Sequence, residues 1–303
     1  MRHWKNEDIY FFLNTQFGEK SKIQQDAALP KITVVVPSFN QKKYIERTIR
    51  SIINQDYPKL QLIVIDGSST DGSQEIIRKY CKEIYYWVSE KDEGQADAIN
   101  KGFKRATGDL VGWLNSDDIY LPNAFYNIAE AYNKNKDCDV FYGNTYIIDE
   151  NDEILEEART IPFYLDQLVC KGWNLSSQSV FWKKNVFEKI GYLNNYNVLF
   201  DLDWFIRLGR VFRFKFIHEF IGCYRYQKEA KLSTIKQEYR EVIFKKIMEG
   251  QGYPFGQENM WDGKANFRKI SINLRRFLWF CFQGDCNFIG SRFIKKLGIL
   301  KKN

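Results

Sequence analysis

Two adjacent carboxylates, Asp117 and Asp118, close the apolar run Leu110-Val111-Gly112-Trp113-Leu114. Such a run reads as a buried strand, and buried parallel strands deliver functional side chains at their C-terminal ends. Neighbouring carboxylates repel one another unless exposed, protonated or bridged by a cation. A hard divalent ion such as Mg2+ or Mn2+, itself holding phosphate oxygens, is one bridge. A turn with a helix-capping aspartate ahead of Pro122 is the plainer alternative. Further along, Asp201 and Asp203 open an apolar helix, where acids favour the macrodipole or present a general base.

Other strand ends carry comparable groups. Ile32–Val36 runs into Pro37-Ser38-Phe39-Asn40. A dinucleotide-binding turn needs GxGxxG there, so this loop argues against an NAD or FAD enzyme and suits contact with one base or ribose. Leu62–Ile65 ends in Asp66, an exposed edge carboxylate by this reading, able to accept from a base N–H or ribose hydroxyls. Asp71-Gly72 beyond it reads as a helix cap. In Asp92-Glu93-Gly94-Gln95-Ala96-Asp97-Ala98-Ile99-Asn100-Lys101-Gly102, Lys101 either pairs with Asp97 four residues back or faces a phosphate.

The elements that must position these groups alternate as βαβ units. Strands are expected at 32–36, 62–65, 84–88 and 110–114. Helices are expected at 44–54, with apolar residues at 45, 49, 52 and 53, at about 73–80, and at 95–106. That pattern implies an α/β fold with a mainly parallel sheet flanked by helices. Beyond Asp118 the spacing predicts a helix from Pro122 to Asn135 with proline in its first turn. Strands follow at 140–142, 145–149 and 154–155, then a helix at 201–211 and strands at 214–217 and 221–226. Three regions result: a peripheral leader (1–30), a catalytic domain (31–233) and a basic helical C-terminal extension (234–303).

The chain has 303 residues and is 17% aromatic, too rich for disorder. Its six cysteines show no CxxC spacing, and no secretory signal is visible, so reduced thiols in a cytoplasmic setting are the expectation. The net charge of +7 is concentrated: residues 264–303 hold ten Lys/Arg against the single acid Asp285. The near-neutral body argues against nucleic acid as a partner. In the tail, Phe267, Ile270, Leu274, Phe277, Leu278 and Cys281 share a helical face beside Arg268, Lys269, Arg275 and Arg276. Such a helix either lies peripherally on an anionic membrane surface or caps the domain.

TVVVPSFNQ, LIVIDGSSTDGS, DEGQADAINKGF, GDLVGWLNSDD, SSQSVFW and FDLDWFIRL, in that order, resemble the family 2 glycosyltransferases of the GT-A fold, over roughly residues 31–233. The branch most similar is that of bacterial surface-polysaccharide assembly. The resemblance implies inverting transfer of a hexosyl or N-acetylhexosaminyl group from a nucleotide-diphospho-sugar donor to a glycan or lipid-linked glycan acceptor. It implies donor contacts from Pro37, Phe39, Asn40, Asp66, Gln95, Lys101, Asn115 and Ser116. It implies Mg2+ or Mn2+ on Asp117, with Asp118 and Gln227 as weaker ligands, and Asp201 as catalytic base, Asp203 being structural. The chain departs from the family pattern twice. Asn115 replaces the first Asp of the DxD motif. Gln227, after Tyr224-Arg225-Tyr226, stands where many relatives have a histidine. A nucleotidyltransferase is the less favoured alternative, for want of a glycine-rich basic loop, and a non-catalytic carbohydrate-binding relative is another. His218 reads as structural.

Overall fold

A computed structural model describes residues 1–15, 29–171, 175–227, 236–253, 274–275 and 278–279. Three strand–helix units come first: β1 (Ile32–Ser38), α2 (Ile45–Ile53), β2 (Leu60–Asp66), α3 (Ser73–Lys79), β3 (Tyr86–Ser89) and α4 (Gln95–Phe103). A short helix α1 (Asn6–Asn14) precedes them, and β4 (Leu110–Trp113) follows. Strands β3-β2-β1-β4 pair in parallel. Val34 and Val36 of β1 and Leu62 and Val64 of β2 join a core with Ile45, Ile49, Ile52 and Ile53 of α2. Val35, Ile63 and Ile65 face the opposite core with Phe103 and Trp113. This two-sided burial is why the strands read as unbroken apolar runs rather than alternating ones.

The second half turns the sheet mixed. After β5 (Ile119–Tyr120) and α5 (Ala124–Lys134) come β6 (Val140–Ile148), β7 (Ile154–Ala158), α6 (Leu165–Lys171) and β8 (Val180–Lys183). Then follow α7 (Val186–Ile190), α8 (Phe200–Val211), β9 (Phe214–Arg225) and α9 (Gln237–Gly250). The sheet order is β3-β2-β1-β4-β8-β6-β9-β5, with β7 on β6. Strand β8 is antiparallel to both β4 and β6, whereas β6 and β9 run parallel.

Several boundaries differ from the sequence expectation. The strands expected at 140–142 and 145–149 are one strand, β6, and those at 214–217 and 221–226 are β9. Gly143 signals a break in sequence, but a Cβ there would stand 2.5 Å from Ile221 Cγ1 and 2.6 Å from the Glu219 carbonyl. The glycine permits close approach across an irregular register rather than a turn. Helix α5 begins after Pro122, because Leu121 still donates to the Ile221 carbonyl and Asn123 takes a left-handed φ of 64°. The leader is not peripheral: Trp4, Ile9 and Leu13 are buried against Ile119, Leu121, Tyr146, Ile148, Phe220 and Cys223.

Among the described residues Cys81, Cys138 and Cys223 are free thiols, and no helix is long and apolar enough to cross a membrane. Most of the C-terminal extension lies outside the described residues, including Phe267, Ile270, Phe277 and Cys281, as does the expected boundary at residue 233.

Candidate active site

The in-register pairing of β1 with β2 and β4 aligns their carboxyl ends. Ser38 lies opposite Asp66, Asp66 opposite Ser89, and Val35 opposite Trp113 two residues before Asn115. Chain order reverses at β1, which has β2 on one side and β4 on the other. In open α/β sheets the crevice outside the strand ends at such a switch point binds ligand.

The first two loops brace each other. Asn40, at φ 52°, donates its backbone N–H to Ser69 Oγ and accepts from the Thr70 N–H through its amide oxygen at 2.9 Å. Pro37 lies within β1, paired with Ile65, while the Phe39 ring is 60% exposed. Asp66 departs from the expected exposed carboxylate, being 0% exposed. Its oxygens accept from the Ser69 N–H (2.9 Å), Ser69 Oγ (2.5 Å) and Ser89 Oγ (2.6 Å). These hydrogen bonds compensate the burial of a carboxylate. Asp71 accepts from the Ser73 N–H and hydroxyl and from the Lys42 N–H. Burial, the largest single influence, raises its pKa, but those bonds together hold it below the usual value.

Asp92, passed over in the sequence as part of a helix start, stands close to this crevice. A Cβ on Gly67 would meet its Oδ2 at 2.4 Å and the Phe39 ring at 3.3 Å. The carboxylate and the exposed ring therefore flank one glycine, whose lack of a side chain permits their close approach. Lys101 reaches the residues just past the carboxyl end of β3. Its ammonium meets the Lys91 carbonyl at 3.0 Å, Glu90 at 3.0 Å and Asp97 at 3.3 Å. Its three N–H donors are thereby taken, and the ion pair of the two sequence readings is present.

After β4 a chain of hydrogen bonds orders the acidic loop. Gln95 Nε2 donates to Asn115 Oδ1 at 2.8 Å, and Asn115 Nδ2 donates to Asp118 Oδ2 at 3.3 Å. The Arg225 N–H donates to Asp118 Oδ1 at 2.8 Å. Asp118 is thus turned into the interior, and burial together with Asp117 raises its pKa well above the usual range. The carbonyls of the buried Ser116 and of Asp118 accept from Thr48 Oγ1. Asp117 is half-buried, its pKa raised by burial, and Gln227 Nε2 donates to its Oδ2 at 2.7 Å. Asn115 therefore does here what an ionised aspartate could not, donating to the carboxylate of Asp118, which is adjacent in sequence to Asp117.

Arg225 is the residue whose part was least visible in the sequence. Its side chain is fully buried, with Nε on the Asp117 carbonyl at 2.7 Å and Nη1 on the Asp149 carbonyl at 2.6 Å. Nη2 pairs with Asp152 Oδ1, and the guanidinium lies 4.8 Å from the Tyr44 ring centre. The tetrapeptide Tyr224-Arg225-Tyr226-Gln227 did mark the place.

The last component arrives with α8. Leu199, at φ 61°, precedes the helix, a left-handed backbone that is costly for leucine. Phe200 meets Trp113 of β4 at 6.4 Å between ring centres, which sets the N-terminus of α8 beside the strand end. Among the described residues Asp201 forms no ion pair. Its Oδ1 accepts from the Leu202 N–H at 2.9 Å, and burial pushes its pKa up to about 7. Burial raises the pKa of the Tyr224 hydroxyl, and the charges of Asp118, Asp117, Tyr226 and Asp201 add to that shift. Asp203 is structural, as expected: it is buried and accepts from Asn194 (2.9 Å), Arg207 (3.0 Å) and Gln251 (2.8 Å). His218 is exposed, stacked with Phe216 and Trp279 away from these carboxylates.

The donor set around Asp117 suits a hard divalent cation. Among the described residues no ion pair engages its carboxylate, and Arg225 reaches only its backbone oxygen. No group of three His, Cys, Asp or Glu side chains converges among the described residues. A cation here would take one protein carboxylate and complete its shell with phosphate oxygens and water, as Mg2+ commonly does.

Fold and site together give an α/β crevice at the switch point of the sheet, with the carboxylate of Asp117 and the separate acid Asp201. The profile of the family described as Glycosyl transferase family 2 matches residues 33–215. The chain belongs to that family. A putative teichuronic acid biosynthesis glycosyltransferase of Bacillus subtilis is 39% identical over 92 residues, 29% of this chain and 36% of that protein. S. aureus TarS, solved with UDP-GlcNAc, has the same fold at a TM-score of 0.57 and 18% identity, over 75% of this chain and 68% of that one. The Pyrobaculum calidifontis mannosyltransferase solved with GDP-Man and Mn2+ aligns at a TM-score of 0.51 and 18% identity, over 82% and 75%. The chain spans between 20% and 76% of the length of the curated relatives it matches.

Proposed function

We propose that this protein is an inverting glycosyltransferase that moves a sugar from a nucleotide-diphosphate donor to a glycan or lipid-linked glycan in surface-polysaccharide assembly. The observation that carries the reading is Asp201, a half-buried carboxyl with no cationic partner among the described residues and a pKa pushed up to about 7. A general base works best when its pKa lies near the operating pH. The teichuronic acid relative and the nucleotide-sugar complexes of TarS and the mannosyltransferase support the substrate class.

In this reading Phe39 and Asp92 receive the base, and Asn115 and Gln95 meet the ribose or sugar. Asp201 takes the acceptor hydroxyl proton as the acceptor oxygen bonds to the anomeric carbon. The bond from that carbon to the diphosphate breaks, and its electron pair leaves with the nucleoside diphosphate. Asp117 would hold Mg2+ or Mn2+, which when bound neutralises charge on the departing diphosphate. Asp118 is turned away from that role, and Gln227 presents a donor nitrogen where a ligand needs its oxygen.

Screening nucleotide-sugars by thermal shift with and without Mn2+ tests this. The right donor adds about 2.7 kcal/mol of apparent stability at a hundredfold excess over its Kd. Asp117→Asn should abolish the Mn2+-dependent part of the shift. A Mn2+-dependent shift of wild-type size in that variant would remove Asp117 from the metal role.

The tail reading is also a proposal. Arg275 pairs with Asp166 and lies 4.7 Å from the Tyr164 ring, and Trp279 packs near His218, whereas Leu274 and Leu278 are exposed. An outward apolar face within a strongly basic segment suits an anionic membrane surface. Sedimentation with vesicles containing 30 mol% (about one third) anionic lipid should pull the protein down at low salt and release it at high salt. Equal sedimentation with neutral vesicles would contradict it.

A further inference from the structure

The turn between β6 and β7 is tied to the acidic loop by a single buried side chain. Arg225 spans from the Asp117 carbonyl (2.7 Å) to the Asp149 carbonyl (2.6 Å), and its remaining fork nitrogen pairs with Asp152. Asp152 adopts a left-handed φ of 72° and gives its second oxygen to Arg47 Nε at 3.2 Å. Arg47 also donates to the Glu150 carbonyl at 3.2 Å, so α2 braces the same turn twice. The guanidinium is planar and its donors are fixed relative to one another. A shift of the turn therefore moves the plane of Arg225, and with it the carbonyl of Asp117.

We propose that Asp152 is a positioning residue for Asp117: through Arg225 it fixes the backbone from which the cation-holding carboxylate projects. This rests on the reading above that Asp117 holds the cation. Two features set Asp152 apart from an ordinary surface acid. Its partner is a fully buried arginine with no exposed path to water. The carbonyl at the other end of that arginine belongs to the very residue whose carboxylate is in question. Partners one step removed from a metal ligand commonly change metal affinity by roughly 10- to 100-fold when removed.

The test is Mn2+ binding, followed by electron paramagnetic resonance on the full chain with UDP present, together with unfolding of the metal-free protein. Wild type should bind Mn2+, and Asp152→Ala should bind it at least about tenfold more weakly. Asp152→Asn keeps an oxygen able to accept from Arg225 and should recover most of the affinity. An Asp152→Ala protein that is less stable without metal yet binds Mn2+ as wild type does would overturn the proposal and leave the metal reading intact. Wild type that binds no Mn2+ would overturn the metal reading and the proposal together. If Asp152→Ala fails to fold, Arg47→Met carries the test, because it cuts only the outer brace. Weaker Mn2+ binding in that variant is expected, and unchanged binding would overturn the proposal.

Discussion

Asp201→Asn is expected to lower sugar transfer by about 10²- to 10⁴-fold, the range usual for losing a positioned general base, while the donor-induced thermal shift persists. The same substitution should remove the acidic limb of the pH profile. In wild type, activity should rise with pH as the Asp201 carboxyl ionises around pH 7. Stability should move in the opposite sense. Between the ordinary carboxylate range and about pH 7 the unfolded chain has released this proton and the folded chain has not, so raising pH favours unfolding. Asn carries no such penalty. The variant should therefore melt above wild type at pH 8, with the advantage disappearing below about pH 4. A transfer-dead variant that also melts lower at pH 8 would point to misfolding, and near-wild-type transfer would remove Asp201 from the role of base.

Arg225→Met is expected to be the most destabilising single change, costing about 3–5 kcal/mol, the usual range when one partner of a buried ion pair is removed. The reason is what it leaves behind. The carbonyls of Asp117 and Asp149 lose the guanidinium donors and the Asp152 carboxylate is left with Arg47 alone, in an interior where unsatisfied polar groups are costly. Arg225→Lys should recover little, since one ammonium on a flexible stem cannot reproduce a planar fork contacting three acceptors. Urea denaturation at pH 7.5 (roughly neutral) reads this directly through the midpoint and slope. A loss of under about 1 kcal/mol would mean that water replaces the guanidinium, and the turn and acidic loop would then be independent. The asymmetry with Asp201 is informative: removing that charge relieves the fold, and removing this one breaks it.

Much of the parallel half was legible because its signals are local and repeated. Residues 45, 49, 52 and 53 of α2 are all buried as their spacing predicts, and β1, β2 and β4 each end within about two residues of their apolar runs. Outside that half, local signals misled. Gly143 and Pro122 are punctuation in sequence, yet one permits a close strand crossing and the other lies before a helix rather than in it. The leader read as peripheral, yet Trp4, Ile9 and Leu13, with Phe12 beside them, pack onto the strands of the second half.

From the sequence alone came the family, the ordered series of strand-end motifs, and the carboxylates Asp66, Asp117 and Asp201. These follow from residue type at a position along the chain, which spacing preserves. The tertiary structure alone decided which way each carboxylate faces. Asp66 is enclosed by serines and Asp118 by Asn115 and a backbone N–H, leaving Asp117 without an ion pair of its own. It also united Asp117 with Arg225 and Asp152, residues far apart in the chain, and gave Asp201 the buried setting that lifts its pKa to about 7. Burial and long-range hydrogen bonds set the free energy of a charge, and neither is written in the local order of residues. The acidic pair that reads in sequence as one metal motif is, in the folded protein, one carboxylate presented to the crevice and one used to hold the loop.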